Sequence, residues 1–129
     1  KFAVRLNGTS DLAWHRFSSL MDQHPDVIFY DYTKVLNHLD HNQKNYKITF
    51  SASGSNDSEC AAALKAGHNV AYVFKDNLPK KLQGKRVIDG DKHDLRFLDH
   101  RVPDQVYLFQ AVDINFYYLR AALDSLELF

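Results

Sequence analysis

The chain has 129 residues, 45% of them hydrophobic and 13% aromatic, which is enough to bury one core and too little for two ordinary domains. Sixteen Lys and Arg balance sixteen Asp and Glu, so no net field steers the molecule toward nucleic acid, an anionic membrane or an acidic substrate. The lone cysteine, Cys60, excludes an intramolecular disulfide and a multi-cysteine metal site and fits a reducing compartment.

No apolar run reaches the ~20 residues that span a bilayer, and no charged-then-apolar leader precedes the first strand, so a soluble, cytoplasmic protein is expected. Residue 1 is Lys, and Phe2-Ala3-Val4 already reads as strand. The expectation is a single α/β domain over residues 1–129 that forms the C-terminal part of a larger protein.

In chain order, the apolar run Phe2 to Leu6 stops at Asn7-Gly8-Thr9-Ser10-Asp11, a cluster with turn and N-cap chemistry. Leu12, Phe17, Leu20 and Met21, flanked by Trp14, recur at helical spacings between Asp11 and Gln23, and Pro25 stops that predicted helix. Val27-Ile28-Phe29-Tyr30 is a β-branched and aromatic run that predicts a buried strand. Thr33 caps a second predicted helix, about Lys34 to Asn42, with Val35, Leu36 and Leu39 inward.

Tyr46-Lys47-Ile48-Thr49-Phe50 alternates as a third strand and runs into the loop 51–57. A third helix starts near Ser58 and ends at Gly67, the residue type that best tolerates a left-handed cap. Val70 to Phe74 predicts a fourth strand, Arg86-Val87-Ile88 a fifth and Val106 to Phe109 a sixth, and the tail from Asp113 predicts a closing helix. Strands separated by helix-length segments indicate βαβ units. The expected fold is therefore α/β, with a mostly parallel sheet of about five or six strands and alternating helices in an open or partial-barrel arrangement.

In such sheets ligands bind at the carboxyl ends of the strands. Asn7 to Asp11, Asp31 to Lys34, Ser51 to Asn56, Lys75 to Asn77 and Asp89 to Asp91 all fall on that edge. Asn7-Gly8-Thr9-Ser10 and Ser51-Ala52-Ser53-Gly54-Ser55-Asn56 are small, hydroxyl-rich and placed before helices, where backbone N–H groups and hydroxyls, Ser53 among them, favour a phosphate or carboxylate. Ordinary N-capping explains the same residues, and neither loop matches a P-loop or dinucleotide fingerprint.

Tyr30-Asp31-Tyr32-Thr33-Lys34 sets an acid, a base and two phenols at one strand end, with Tyr30 and Tyr32 on one side and Asp31 on the other. The tyrosines suit stacking on a base or sugar and Lys34 suits a phosphate, while the plain alternative is a core tyrosine and a capping threonine. Asp89-Gly90-Asp91, with His93, Asp94, Arg96 and Asp99 behind it, is the densest acidic cluster; its carboxylates suit Mg²⁺ or a ribose, but a tight turn rich in Asp and Gly reads the same and is far commoner. His38 and His41 are spaced as some zinc ligands are, but no third ligand is evident, so they read as solvated or capping histidines. Triad members are recognised by geometry rather than spacing, so no Ser-His-Asp set is singled out.

The run Val4-Arg5-Leu6-Asn7-Gly8-Thr9-Ser10-Asp11, then Phe29-Tyr30-Asp31-Tyr32-Thr33-Lys34, Asn45-Tyr46, Thr49-Phe50-Ser51, Asn69-Val70-Ala71, Val87-Ile88-Asp89-Gly90-Asp91 and Asp94-Leu95-Arg96-Phe97-Leu98-Asp99 resembles a family of uncharacterised bacteriophage and prophage proteins. The resemblance implies phage biology rather than a chemistry. It points to Arg5, Asn7, Thr9, Ser10, Asp11, Tyr30, Asp31, Tyr32, Lys34, Ser51, Asp89, Asp91 and Arg96 as the positions that matter. It also implies a cysteine-rich segment upstream of the Arg-Leu-Asn-Gly-Thr-Ser-Asp motif, which this sequence lacks. The tail from Asp113 departs from the pattern, which leaves its apolar residues open to self-association.

Two functions fit these features. One is a domain that binds a phosphate-bearing or other anionic, nucleotide-like ligand and has hydrolytic or transferase chemistry, with Asp31 or Asp89 as acid/base and Asp89 and Asp91 on Mg²⁺. The other is a non-catalytic phage-encoded protein that modulates a host or defence protein.

Overall fold

A computed structural model describes residues 2–74, 79–82, 84–91 and 95–98, and the backbone of 106–110. The predicted closing helix from Asp113, the segment Lys75 to Asn77, and His93, Asp94, Asp99 and His100 lie outside the described residues.

Seven strands pair in the order β1-β2-β3-β4-β7-β6-β5: β1 Ala3–Arg5, β2 Ile28–Thr33, β3 Tyr46–Ser51, β4 Val70–Phe74, β5 Lys81–Leu82, β6 Lys85–Asp89 and β7 Val106–Gln110. Every pairing is parallel except the short antiparallel β5–β6 pair, so the chain is an α/β protein. The helices are α1 Leu20–Gln23 and α2 Asp57–Lys65, with single 3₁₀ turns at Trp14–Arg16, Leu36–Leu39 and Arg96–Leu98. Among the described residues, no helix is long and apolar enough to cross a membrane.

Strand register divides the side chains between two faces, because successive residues point opposite ways. Val4, Phe29 and Tyr46 pair across β1, β2 and β3, and Phe50 pairs with Val70 of β4, so these residues share a face. Met21 of α1 packs with Phe29 and Tyr46. Leu39, with Cys60, Ala63 and Leu64 of α2, packs with Phe50 and Val70. Phe50 and Cys60 are fully buried. Burying a side chain the size of Phe50 contributes up to about 3 kcal/mol.

The topology explains why the helices gather on one side. From β1 to β4 each connection steps to the next strand in the same direction, and right-handed crossovers that all step one way must all lie on one face. The step from β6 back to β7 reverses direction, so its crossover belongs on the other face. The 3₁₀ turn in that crossover does lie there, with Phe97 5.8 Å from Tyr30, a residue on the side opposite Phe29.

The helices before β2 and β3 are much shorter than their apolar spacing predicts. In place of one helix over Asp11 to Gln23 there is a 3₁₀ turn and the single-turn α1, because the Asn7 side chain captures Leu12 N–H and Trp14 Nε1–H and the Ser18 hydroxyl captures Leu20 N–H. In place of Lys34 to Asn42 only Leu36–Leu39 turns. There Thr33 Oγ1 accepts Val35 N–H and leaves Val35 extended, and Asn37, His38 and Asp40 add little helix propensity.

The helix expected near Ser58 forms as α2 and ends as read from the sequence. Gly67 sits at φ 85°, with Gly67 N–H on Leu64 O and His68 N–H on Ala63 O, a Schellman cap.

Candidate functional site

The residues singled out from the sequence fall into two groups on opposite faces of the sheet. On the helical face, Asn7 follows β1 and is 2% exposed. Its backbone N–H donates to Asp31 Oδ1 at 2.7 Å. Its Oδ1 accepts from Ser10 Oγ, Leu12 N and Trp14 Nε1 at 2.9, 3.2 and 2.9 Å, and its Nδ2 donates to Leu12 O at 3.0 Å. Every polar atom of that side chain is therefore spent inside the loop it organises.

Asp31 is equally buried, and its second oxygen accepts the Tyr46 hydroxyl at 2.6 Å. Burial pushes the Asp31 carboxyl above its usual range, against the downward pull of the bonds from Tyr46 and Asn7 and of the Arg5 charge. The Tyr46 phenol is driven far up by burial and by its bond to the carboxylate. Because β2 runs through Thr33 rather than stopping at Tyr30, Asp31 lies within the sheet rather than on its rim.

Asp11 ties the ends of β1 and β2 together. Its Oδ1 accepts from Thr33 Oγ1 at 2.6 Å and lies 3.1 Å from His38 Nδ1, and its Oδ2 accepts Lys34 N–H at 2.8 Å. Asp11→Ala is expected to lower the urea midpoint at constant m, equivalent to about 1–2 kcal/mol, since it strands a backbone N–H and a hydroxyl. Thr9 is exposed on the same loop.

The opposite face gathers the second group. Arg5, Tyr30 and Lys47 lie level with one another across β1, β2 and β3, and Tyr32 and Thr49 form the next row toward the carboxyl ends. The Arg5 guanidinium carbon stands 5.2 Å from the Tyr32 ring centre, a cation–π contact. Tyr32 also packs with Ala71 and Ile88. Thr49 is 6% exposed, and Arg96, beside Phe97 in the turn over this face, is 4% exposed. Ser51 continues the row of Lys47 and Thr49 along β3.

Lys47 and Thr49 are absent from the sequence-derived set, although the alternation of Tyr46 to Phe50 carried the signal. Polar residues at every second position of a central parallel strand are conspicuous, because such strands are usually apolar on both faces.

Asp31 lies on β2 and Asp89 on β6, with β3, β4 and β7 between them in the sheet order. Asp91 N–H donates to Asp89 Oδ1 at 3.0 Å, a local turn, and among the described residues no group of three or more His, Cys, Asp or Glu is placed to hold a metal ion. In the loop 51–56, Asn56 bridges Ser53 N–H and Ser51 O, and Ser53 Oγ lies 3.2 Å from Ser55 Oγ. The first turn of α2 already carries Asp57 and Glu59, which occupy the positive end of its dipole.

The sequence profile of the phage-type family described as Gene product 88 matches residues 1–111, and the chain belongs to that family. No curated protein and no solved structure matches it.

Proposed function

We propose that this gene product 88 family member binds a phosphate-bearing, nucleotide-like anion on the face of its sheet opposite the helices, toward the carboxyl ends of the strands. The observation that carries the reading is the placement of Arg5 and Lys47 at one level on that face, beside the rings of Tyr30 and Tyr32. Arg96 stands in the turn above, next to Phe97, which packs on Tyr30. Guanidinium and ammonium groups bind phosphate oxygens, and phenol rings stack on bases or sugars. Ser51 and Lys34, at the ends of β3 and β2, supply further donors at the rim.

The one-directional order of β1 to β4 supports a partial-barrel arrangement with this face on the inside. In this reading Asn7, Ser10, Asp11 and Asp31 are architectural, and Asp89 and Asp91, at the carboxyl end of β6, are the rim carboxylates that would serve as acid/base or Mg²⁺ ligand in a hydrolytic or transferase step. The host cytoplasm is the setting.

The expected result in a thermal-shift panel of nucleotides and inorganic phosphates, with and without Mg²⁺, is at least one stabilising ligand. A melting temperature that no anion moves sinks the reading.

A second reading, a non-catalytic modulator of a host or defence protein, is favoured by the exposure of Leu12 (47%), Phe17 (61%), Val35 (40%) and Leu36 (37%). Leu12 and Val35 follow residues that the Asp11–Lys34 bond joins.

A further inference from the structure

Beneath the helical face, three rings meet outside the proposed binding face. His15, in the 3₁₀ turn after the Asn7 loop, lies 5.3 Å from His41 and 6.1 Å from Tyr46 between ring centres, and His41 lies 5.3 Å from Tyr46. Both ring nitrogens of His15, Nδ1 of His41 and Oε1 of Gln43 are shielded from solvent, and none has a hydrogen-bond partner in the structure. Neutral imidazoles tolerate this arrangement at a modest cost, whereas imidazolium ions, each needing acceptors for two N–H groups, do not.

We propose that His15 and His41 form an acid-operated latch, in which protonation of the pair drives the 14–16 turn off Tyr46 and releases the Asn7 loop at the carboxyl end of β1. The coupling runs through a chain of hydrogen bonds. Trp14, next to His15, donates Nε1–H to Asn7 Oδ1, Asn7 N–H donates to Asp31, and Asp31 holds the Tyr46 hydroxyl. The outer side of the turn is held by Arg16 Nη2 on Asn37 O.

The surrounding charges mostly oppose protonation. Arg16 and His38 disfavour a charge on His15, with Asp40 alone in its favour; His15, Lys47 and His68 disfavour one on His41, while the Gln43 amide favours it slightly without reaching hydrogen-bond geometry. Burial is the largest influence and holds both imidazoles below the usual value of 6.5. The unfolded or opened chain therefore takes up protons first. The latch is fully closed above about pH 6.5 and loses stability as pH falls through that value toward the lower folded-state values.

The chain's only tryptophan, Trp14, reports the event directly. Its emission is expected to shift on acidification below about pH 6.5, ahead of any loss of far-UV circular dichroism, with the melting temperature falling by several degrees. His15→Phe and His41→Phe, which keep a ring and remove the titration, should each flatten that shift, while the exposed control His24→Phe should leave it in place. A Trp14 signal unchanged between about pH 7.5 and 5 overturns the proposal. So does a histidine NMR titration of the unmodified chain in which His15 or His41 titrates at or above 6.5, and that measurement does not depend on the variants folding. Stabilisation by Zn²⁺ at neutral pH that requires both histidines also overturns it, because the pair is then a metal site.

Discussion

Asp31→Ala should destabilise the protein by about 3 kcal/mol, read as a lower urea midpoint at unchanged m. The substitution leaves the Asn7 N–H and the Tyr46 hydroxyl buried without their acceptor, and each stranded group costs about 1–3 kcal/mol. Asp31→Asn should cost far less, because the amide oxygen still accepts from Asn7 and its NH₂ can donate to the Tyr46 oxygen.

The pH dependence has a definite sign. Since burial raises the folded-state pKa of Asp31, the ionised carboxylate carries a stability penalty at neutral pH. That penalty is relieved as pH falls through the raised value and fully gone below the ordinary 3.8. Asp31→Asn should flatten this part of the profile. If Asp31→Ala folds as stably as the parent, the carboxylate is not architectural and a catalytic role returns.

Arg5→Ala with Lys47→Ala should weaken the ligand found in the panel by about 100-fold or more, since each lost charge-assisted contact is worth about 1.5–3 kcal/mol. Isothermal titration at two salt concentrations checks this, because the parent should lose affinity with salt more steeply than the double variant. Arg5 also covers the Tyr32 ring, so Arg5→Lys, which keeps the charge and loses the planar fork, separates charge from stacking. An unchanged affinity in the double variant moves the ligand off this face and leaves the anion-binding reading without its cations.

Much of the sheet was legible because β-strand alternation is local. Val70 to Phe74 forms the strand its continuous apolarity predicts, and the Tyr46 strand ends only one residue beyond its predicted limit. The short helical connections were not legible. Leu12, Leu20 and Met21 fit a helical spacing, but the deciding interactions are polar and involve Asn7 and Ser18, which no periodicity reveals.

The candidate site was half legible for a related reason. Asn7, Asp11 and Asp31 have residue types that suit both ligand binding and buried cross-links, and only partners such as Tyr46 and His38, 15 and 27 residues away along the chain, tell the two apart. Lys47, in contrast, was marked by its own neighbours, as a cation inside an apolar strand. The β5–β6 hairpin has no sequence signal, because two residues of pairing are too short to leave a pattern.

The position of Cys60 also makes the molecule its own clock. The thiol is fully buried where α2 meets Phe50 and Val70, and burial raises its pKa, so in the closed state it is a poor nucleophile. Any reagent that blocks it must wait for α2 to leave the sheet. With reagent in excess, the blocking rate counts those departures one molecule at a time, and a rate faster than global unfolding means the helix breathes while the strands beneath it stay paired.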